Sequence, residues 1–564
     1  MKFPRPFDQL RTHWPLTIAG AVAAMLLFTN LGSGYLWADE GDTAVLARNI
    51  TKFGLPRAWD GTTFMDSDFG ARENSRLVMV SSPWLQYYVV AASFIAFGEN
   101  TFAARFPFAL LGWATIILAY RIAWITTGER RAAACASLLL TCSVQYLLFC
   151  RQSRYYAIEM FLTCLLIDAF LQLRSGPRAV VFAVVSVLLF HAHPIGIAPV
   201  IALGFLTLLD RNFSLQRHWY WLSFPLILVL TVPWLFLART GYTENAALVS
   251  SGRDFALRLF QYLIECTSVT PLIGIAVLFL GISIFQRGAR LFRENERALL
   301  RTIATIIGAL ALAMAVTQRS AALWVTGIRY TSAIIPLVAI LAGLMISRIS
   351  AGKLSIFVAV IGIFALTKFA QITPWTVWCD KSPDPEKKLV APHVPARTID
   401  SFFPREDLLF AADLFHKNIG TLGQSVEFLE QHAAAGDLVI TNYESEPLYF
   451  HTKLPQAMKI MSQDPIYDAA RRYGLPQYVF GVDHARWVVW RFNWDDYLGI
   501  HWPEVADHLL GEGGRITNVA ELKETRWENR ENIHFHRFAN DVYLFPQDTN
   551  LSPAIIFRVD WTNE

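Results

Sequence analysis

Two short polar segments hold most of the reactive side chains in an otherwise apolar chain. The first is Trp37-Ala38-Asp39-Glu40-Gly41-Asp42, where Asp39, Glu40 and Asp42 put three carboxylates directly after an apolar run. Ionisable groups held near lipid are costly, which makes them candidates for general-base work or for holding a cation. The second is Cys150-Arg-Gln-Ser-Arg-Tyr-Tyr-Ala-Ile-Glu159. In a helix, Arg151, Tyr155 and Glu159 share one face, and Arg154 joins it at the three-residue spacing. Two guanidiniums there make a forked receptor for phosphate oxygens. Arg329-Tyr330 offers a further cation beside a phenol. His191 and His193 could bind phosphate, relay a proton or bind a metal. Blander readings stand beside these: a solvated loop start for the acids, a snorkelling pair for the arginines, and packed helix-end histidines.

Positioning these groups falls to a membrane bundle. The chain has 564 residues, 54% hydrophobic and 17% charged, against about 45–50% and about 25% in soluble domains. Charge is sparse before Thr373 and frequent after Asp380. A span needs about 20 mainly apolar residues. About eleven segments qualify: 15–36, 101–124, 132–150, 157–173, 179–192, 195–210, 219–238, 263–285, 299–316, 329–347 and 354–373. The N-terminal run lacks a small-residue cleavage site and reads as a retained first span. Cys135, Cys142, Cys150, Cys164, Cys266 and Cys379 form no CxxC pair and read as small buried hydrophobes.

Basic clusters orient the spans. Lys2, Arg5 and Arg11, then Arg130 and Arg131, Arg174 and Arg178, Arg211 and Arg217, Arg287 to Arg297, and Arg348 with Lys353 all fall on one side if 84–97 does not cross. That segment is short for a span and reads as a helix at the outer interface. The outer segments are then 37–100, 151–156, 191–194, 239–262, 317–328 and 374–564. Arg151 and Arg154 stand outside, against the positive-inside trend, which favours a binding role. Within the first outer loop a helix is expected over 43–50 and a break at Gly54-Leu55-Pro56.

The fold class expected is a polytopic α-helical membrane protein with a C-terminal periplasmic α/β domain. Residues 1–373 form the membrane part, 374–400 a linker and 401–564 the outer domain. In that domain a helix is expected over 421–435 and strands over 437–443, 486–492 and 541–545. His534 and His536 form an HxH read as a solvated strand face. A net charge of +3 gives no reason to expect nucleic acid.

The acidic pair after the first span, the Pro-led amphipathic helix, the Arg/Tyr-rich loop ending in an acid and the Arg-Tyr opening a late span together resemble the GT-C glycosyltransferases. More narrowly they resemble the family 39 protein-mannosyltransferase-like group, which includes the lipid A aminoarabinose transferases. The likeness covers roughly 15–210 and, more weakly, 320–345. It implies a polyprenyl-phosphate-linked sugar donor and an inverting transfer. Asp39 matches the first-loop acid taken as base, with Glu40 beside it, and Glu159 matches the second-loop acid. The phosphate role of Arg151 and Arg154, with Tyr155, Arg329 and Tyr330, rests on chemistry instead. A divalent metal, if present, would fall to Asp39, Glu40 and Glu159. Where the aminoarabinose transferases carry acid–Lys–Pro before the interfacial helix, this chain has Ser81-Ser82-Pro83, a departure from a metal site of their kind and from that substrate. The acceptor stays open among lipid A, a glycan, a protein and another lipid. A lipid-linked glycan flippase and a surface-glycan polymerase or ligase are competing classes. A flippase needs no acidic pair beside the first span, and no paired halves are visible.

Overall fold

The structure is a computed structural model. It describes residues 14–65, 74–80, 82–237, 252–271, 274–276, 292–317, 329–330, 332–350, 353–367, 406–415, 419–457, 474–475, 484–494, 501–523 and 552–562. The first helices are α1 (Trp14–Phe28), α2 (Ala38–Phe53), α3 (Leu85–Phe97), α4 (Thr101–Thr127), α5 (Arg130–Thr141), α6 (Val144–Cys150) and α7 (Tyr156–Leu171). Then follow α8 (Gly176–Ala192), α9 (Ile197–Leu209), α10 (Ser214–Leu237), α11 (Gly252–Val269), α12 (Glu294–Thr317), α13 (Ile334–Ser350) and α14 (Leu354–Leu366). The C-terminal part holds α15 (Glu406–Asp413), α16 (Thr421–His432), β1 (Leu438–Thr441), α17 (Ser445–Thr452), β2 (Ala485–Arg491), α18 (Trp502–Gly511), β3 (Gly514–Leu522) and β4 (Ala554–Trp561).

These elements form two compact units interleaved along the chain. One comprises Met1–Thr29, Phe108–Phe415 and His536–Phe545; the other comprises Asn30–Pro107, His416–Phe535 and Pro546–Glu564. Residues 37–100, expected to belong with the membrane part, thus cluster with the C-terminal strands.

The first unit is helical and apolar. By length and composition, three helices among the described residues can cross a membrane: Thr101–Thr127, Arg211–Leu237 and Glu294–Val316. A fourth span arises if α5 and α6 count as one, though they bend by 68°. The single helix expected over 132–150 is therefore broken. Cys142 ends the first segment and Ser143 caps the second, its Oγ accepting from Tyr146 N at 3.3 Å. Six further apolar helices are shorter. The span expected over 15–36 ends at Phe28. That over 329–347 begins as a helix only at Ile334. Residues 277–291 and 368–400 lie outside the described residues, so parts of the spans expected over 263–285 and 354–373 do too, with the whole linker.

Small residues set the close approaches in this unit. A Cβ on Gly343 of α13 would lie 2.5 Å from Ala132 O of α5, so the two backbones nearly touch, as membrane helices do at small residues. Val229 and Phe236 of α10 are 66% and 69% exposed. Such a face is costly in water and suits lipid.

The second unit contains a four-stranded sheet ordered β1-β2-β4-β3. β1 and β2 run parallel, with Val439 opposite Trp487. β4 is antiparallel to β2, with Val488 opposite Phe557, and also to β3. The period-two alternation of β2 feeds two cores. Trp487 and Val489 pack with Leu422, Val426 and Leu429 of α16 and Leu448 of α17. Val488 and Trp490 pack with Val505 and Leu509 of α18. The expected strands at 437–443 and 486–492 and the helix at 421–435 are present. β3 and β4 were not expected. The 541–545 segment and His534 and His536 lie outside the described residues.

Candidate active site

In the first unit, residues 151–155 form a turn and the helix starts only at Tyr156. Arg151, Tyr155 and Glu159 therefore do not share one helical face. Arg151 Nη1 donates to Leu26 O and Leu27 O, both at 2.9 Å, at the C-terminal end of α1. There it satisfies carbonyls that the helix itself leaves over. Glu159 is fully buried. Its Oε2 accepts from Ser332 Oγ at 3.1 Å, and Oε1 has no hydrogen-bond partner among the described residues.

Arg154, Tyr155, His193, Arg329 and Tyr330 come together. The His193 ring stacks on Tyr155 at 4.6 Å and 18°, and on Tyr330 at 5.7 Å and 30°. Arg154 lies over the Tyr155 ring at 5.7 Å. Arg329 lies over Tyr330 at 4.7 Å and donates from Nη2 to its hydroxyl at 2.6 Å. Burial holds His193 neutral, pushing its pKa down to about 3, and the charges of Arg154 and Arg329 reinforce this. Burial likewise raises the Tyr155 phenol well above its usual value, with Arg329 and Arg154 acting against it. The cluster is cationic, hydrogen-bond-donating and walled by aromatic rings, which suits a phosphate carrying an apolar tail. His191 turns elsewhere, its Nε2 lying 3.2 Å from Leu230 O.

In the second unit, the acids expected in a loop sit at the start of α2. Trp37 is the N-cap, and Asp39 and Glu40 occupy the first turn. Carboxylates are favoured there by the helix dipole. Glu40 is fully buried. Arg105 Nε donates to Glu40 Oε1 at 2.9 Å and Nη2 to Oε2 at 2.6 Å. Arg105 also donates to Tyr35 O at 2.8 Å and Leu31 O at 3.4 Å. Asp39 and Asp42 are half-buried on the same helix. Farther along, Arg48 lies 3.7 Å from Asp60 and over the Tyr449 ring at 4.6 Å. Tyr449 donates to Asp60 Oδ2 at 2.5 Å.

Arg105 was missed, although a cation inside the apolar segment 101–124 is costly and therefore conspicuous. His451, Tyr449 and Ser332 gave no local signal, because each matters only through a partner far away in the chain. Among the described residues no three His, Cys, Asp or Glu side chains group so as to hold a metal ion. Both oxygens of Glu40 are taken by Arg105.

The fold is similar to that of a GT-C glycosyltransferase of known structure. The chain aligns with the crystal structure of ArnT from Cupriavidus metallidurans bound to undecaprenyl phosphate over 97% of its own length and 98% of that chain, at TM-score 0.57 and 18% identity. With the apo structure of the same protein it aligns over 86% and 94%, at TM-score 0.53 and 18% identity. At this identity the likeness is one of fold. No family model matches the sequence. An uncharacterized protein of Aquifex aeolicus (strain VF5) is 29% identical over 139 residues, a match spanning 24% of this chain and 24% of that protein.

Proposed function

We propose that this protein is an integral-membrane inverting glycosyltransferase, moving a sugar from a polyprenyl-phosphate donor to an acceptor hydroxyl at the periplasmic face of a bacterial inner membrane. The observation that carries this is the gathering of Arg154, Tyr155, His193, Arg329 and Tyr330 around one cationic, aromatic centre. The likeness to a fold that holds undecaprenyl phosphate in ArnT supports it.

The chemistry asks little of acid catalysis. Asp39 takes the proton of the acceptor hydroxyl as its oxygen attacks the anomeric carbon. The bond from that carbon to the phosphate oxygen breaks with inversion, and polyprenyl phosphate leaves with the electron pair. Phosphate is a weak base, so no protonating acid is required opposite. Arg154 and Arg329 stabilise the charge that grows on it. Glu40 holds the start of α2 through Arg105, and Glu159 anchors α7 to Ser332; both act by positioning. About eleven spans, some of them short or broken, and an outer C-terminal domain complete this reading.

The test incubates purified protein with a labelled polyprenyl-phosphate sugar and candidate acceptors. Release of free polyprenyl phosphate is expected from the wild type and is expected to be lost in Asp39→Asn with thermal unfolding unchanged. Binding or transbilayer movement of intact donor without release would sink the transferase reading. Near wild-type turnover in Asp39→Asn would sink the base assignment.

A further inference from the structure

The start of α2 is held by a helix from more than 400 residues farther along the chain, within the same compact unit. The N-cap of α17 is Glu444, a non-glycine residue in the left-handed region at φ 60°. Arg491 at the end of β2 fixes that conformation, donating from Nη1 to Glu444 Oε2 at 2.5 Å. Asn442 ties the same point to the sheet, bonding Arg491 through its O and N at 2.9 Å each. α17 is thus rooted at the carboxyl ends of the two parallel strands.

From there α17 reaches α2 and the residues just before it through two side chains one turn apart. Pro447 lies against Gly41 so closely that a Cβ at position 41 would overlap the proline backbone. His451, four residues on, accepts from Leu36 N at 3.1 Å through Nε2. Accepting there fixes the tautomer with the proton on Nδ1. The Tyr35 ring meets His451 edge-on at 4.9 Å, and the Tyr35 hydroxyl donates to Glu427 at 3.5 Å. Between these contacts runs 37–40. Arg105 on Glu40 and the Trp37 N–H on Glu40 Oε2 restrain it as well.

Resting on the reading of Asp39 as base, we propose that His451 is a positioning residue for the transfer, holding the Leu36 N–H and with it the first turn of α2 so that the Asp39 carboxylate keeps its orientation. The sheet-bound part of the chain thereby contributes directly to turnover. Misplacing a reacting group by about 1 Å can cost about 100-fold in rate.

Three variants test this in the donor-turnover assay, with Asp39→Asn alongside. His451→Phe keeps the edge-on contact with Tyr35 but removes the acceptor. Its kcat should fall by about 10- to 100-fold, with donor KM within about 3-fold of wild type. His451→Gln places an amide oxygen near the Nε2 position and should restore kcat to within about 3-fold of wild type. His451→Asn is one methylene too short and should resemble the phenylalanine variant, which decides the matter if His451→Phe does not fold. Wild-type kcat in both His451→Phe and His451→Asn, with Asp39→Asn inactive, overturns the positioning role while leaving the transferase reading intact. Equal loss in glutamine and phenylalanine variants also overturns it. Full turnover in Asp39→Asn removes the base reading and this inference together.

Discussion

Arg105 grips both oxygens of the buried Glu40 carboxylate, from Nε to Oε1 at 2.9 Å and from Nη2 to Oε2 at 2.6 Å. A bidentate fork of this kind is strong and geometrically specific. Removing one partner leaves the other charge buried and uncompensated. Arg105→Ala should therefore destabilise the protein by about 3–5 kcal/mol. Arg105→Leu combined with Glu40→Leu should recover part of that loss, because no charge is then stranded. Thermal unfolding of the detergent-solubilised variants checks both. A stable Arg105→Ala protein would mean that water reaches Glu40.

The arginines divide by what they touch. Arg154→Gln and Arg329→Gln should each raise donor KM by about 10- to 100-fold, the range for a lost hydrogen bond to a charged group, and leave the melting temperature near wild type. Arg151→Ala should do the opposite. It loses two bonds to the end of α1, which should cost about 1–3 kcal/mol of stability with donor KM little changed. Donor KM measured on the three variants separates the roles. An Arg151 variant with wild-type stability and raised KM would return it to the phosphate site.

The polar segments were legible because they interrupt apolar runs, where charges are rare enough to notice. Arg154, Tyr155, Arg329 and Tyr330 stood out for that reason, and they are near one another. Their geometry was not legible. The four-residue spacing of Arg151 and Glu159 suggests a shared face only if 151–155 is helical, and the turn there breaks it. Glu40 reads as a reactive acid until Arg105, 65 residues away, claims it. The edge strand β3 hides for a different reason. Its sequence Gly-Arg-Ile-Thr-Asn-Val-Ala-Glu-Leu is buried mainly at its two ends, so alternation gives no signal. The pairing of 30–107 with the C-terminal sheet is likewise a long-range fact, carried by contacts such as Leu36 to His451 and Asp60 to Tyr449.

Two buried histidines set the acid limit of the fold. Burial pushes both His451 and His193 down to about 3, with Arg105 adding to the effect at His451 and Arg154 and Arg329 at His193. In the unfolded chain each titrates near about 6.5. Between about 6.5 and about 3 the unfolded chain binds more protons than the folded one. Stability is therefore full above about 6.5 and falls as pH drops through that window, by about 1.4 kcal/mol per pH unit for each histidine. The melting temperature should fall between pH 7 and pH 5, before most carboxylates titrate. Glutamine does not titrate and can accept the same Leu36 N–H, so His451→Gln should shallow that fall by about half while leaving the pH 7 value close to wild type. Melting curves at half-unit pH steps measure both slopes. An unchanged slope in His451→Gln would show that this ring is already free to take up a proton in the folded protein.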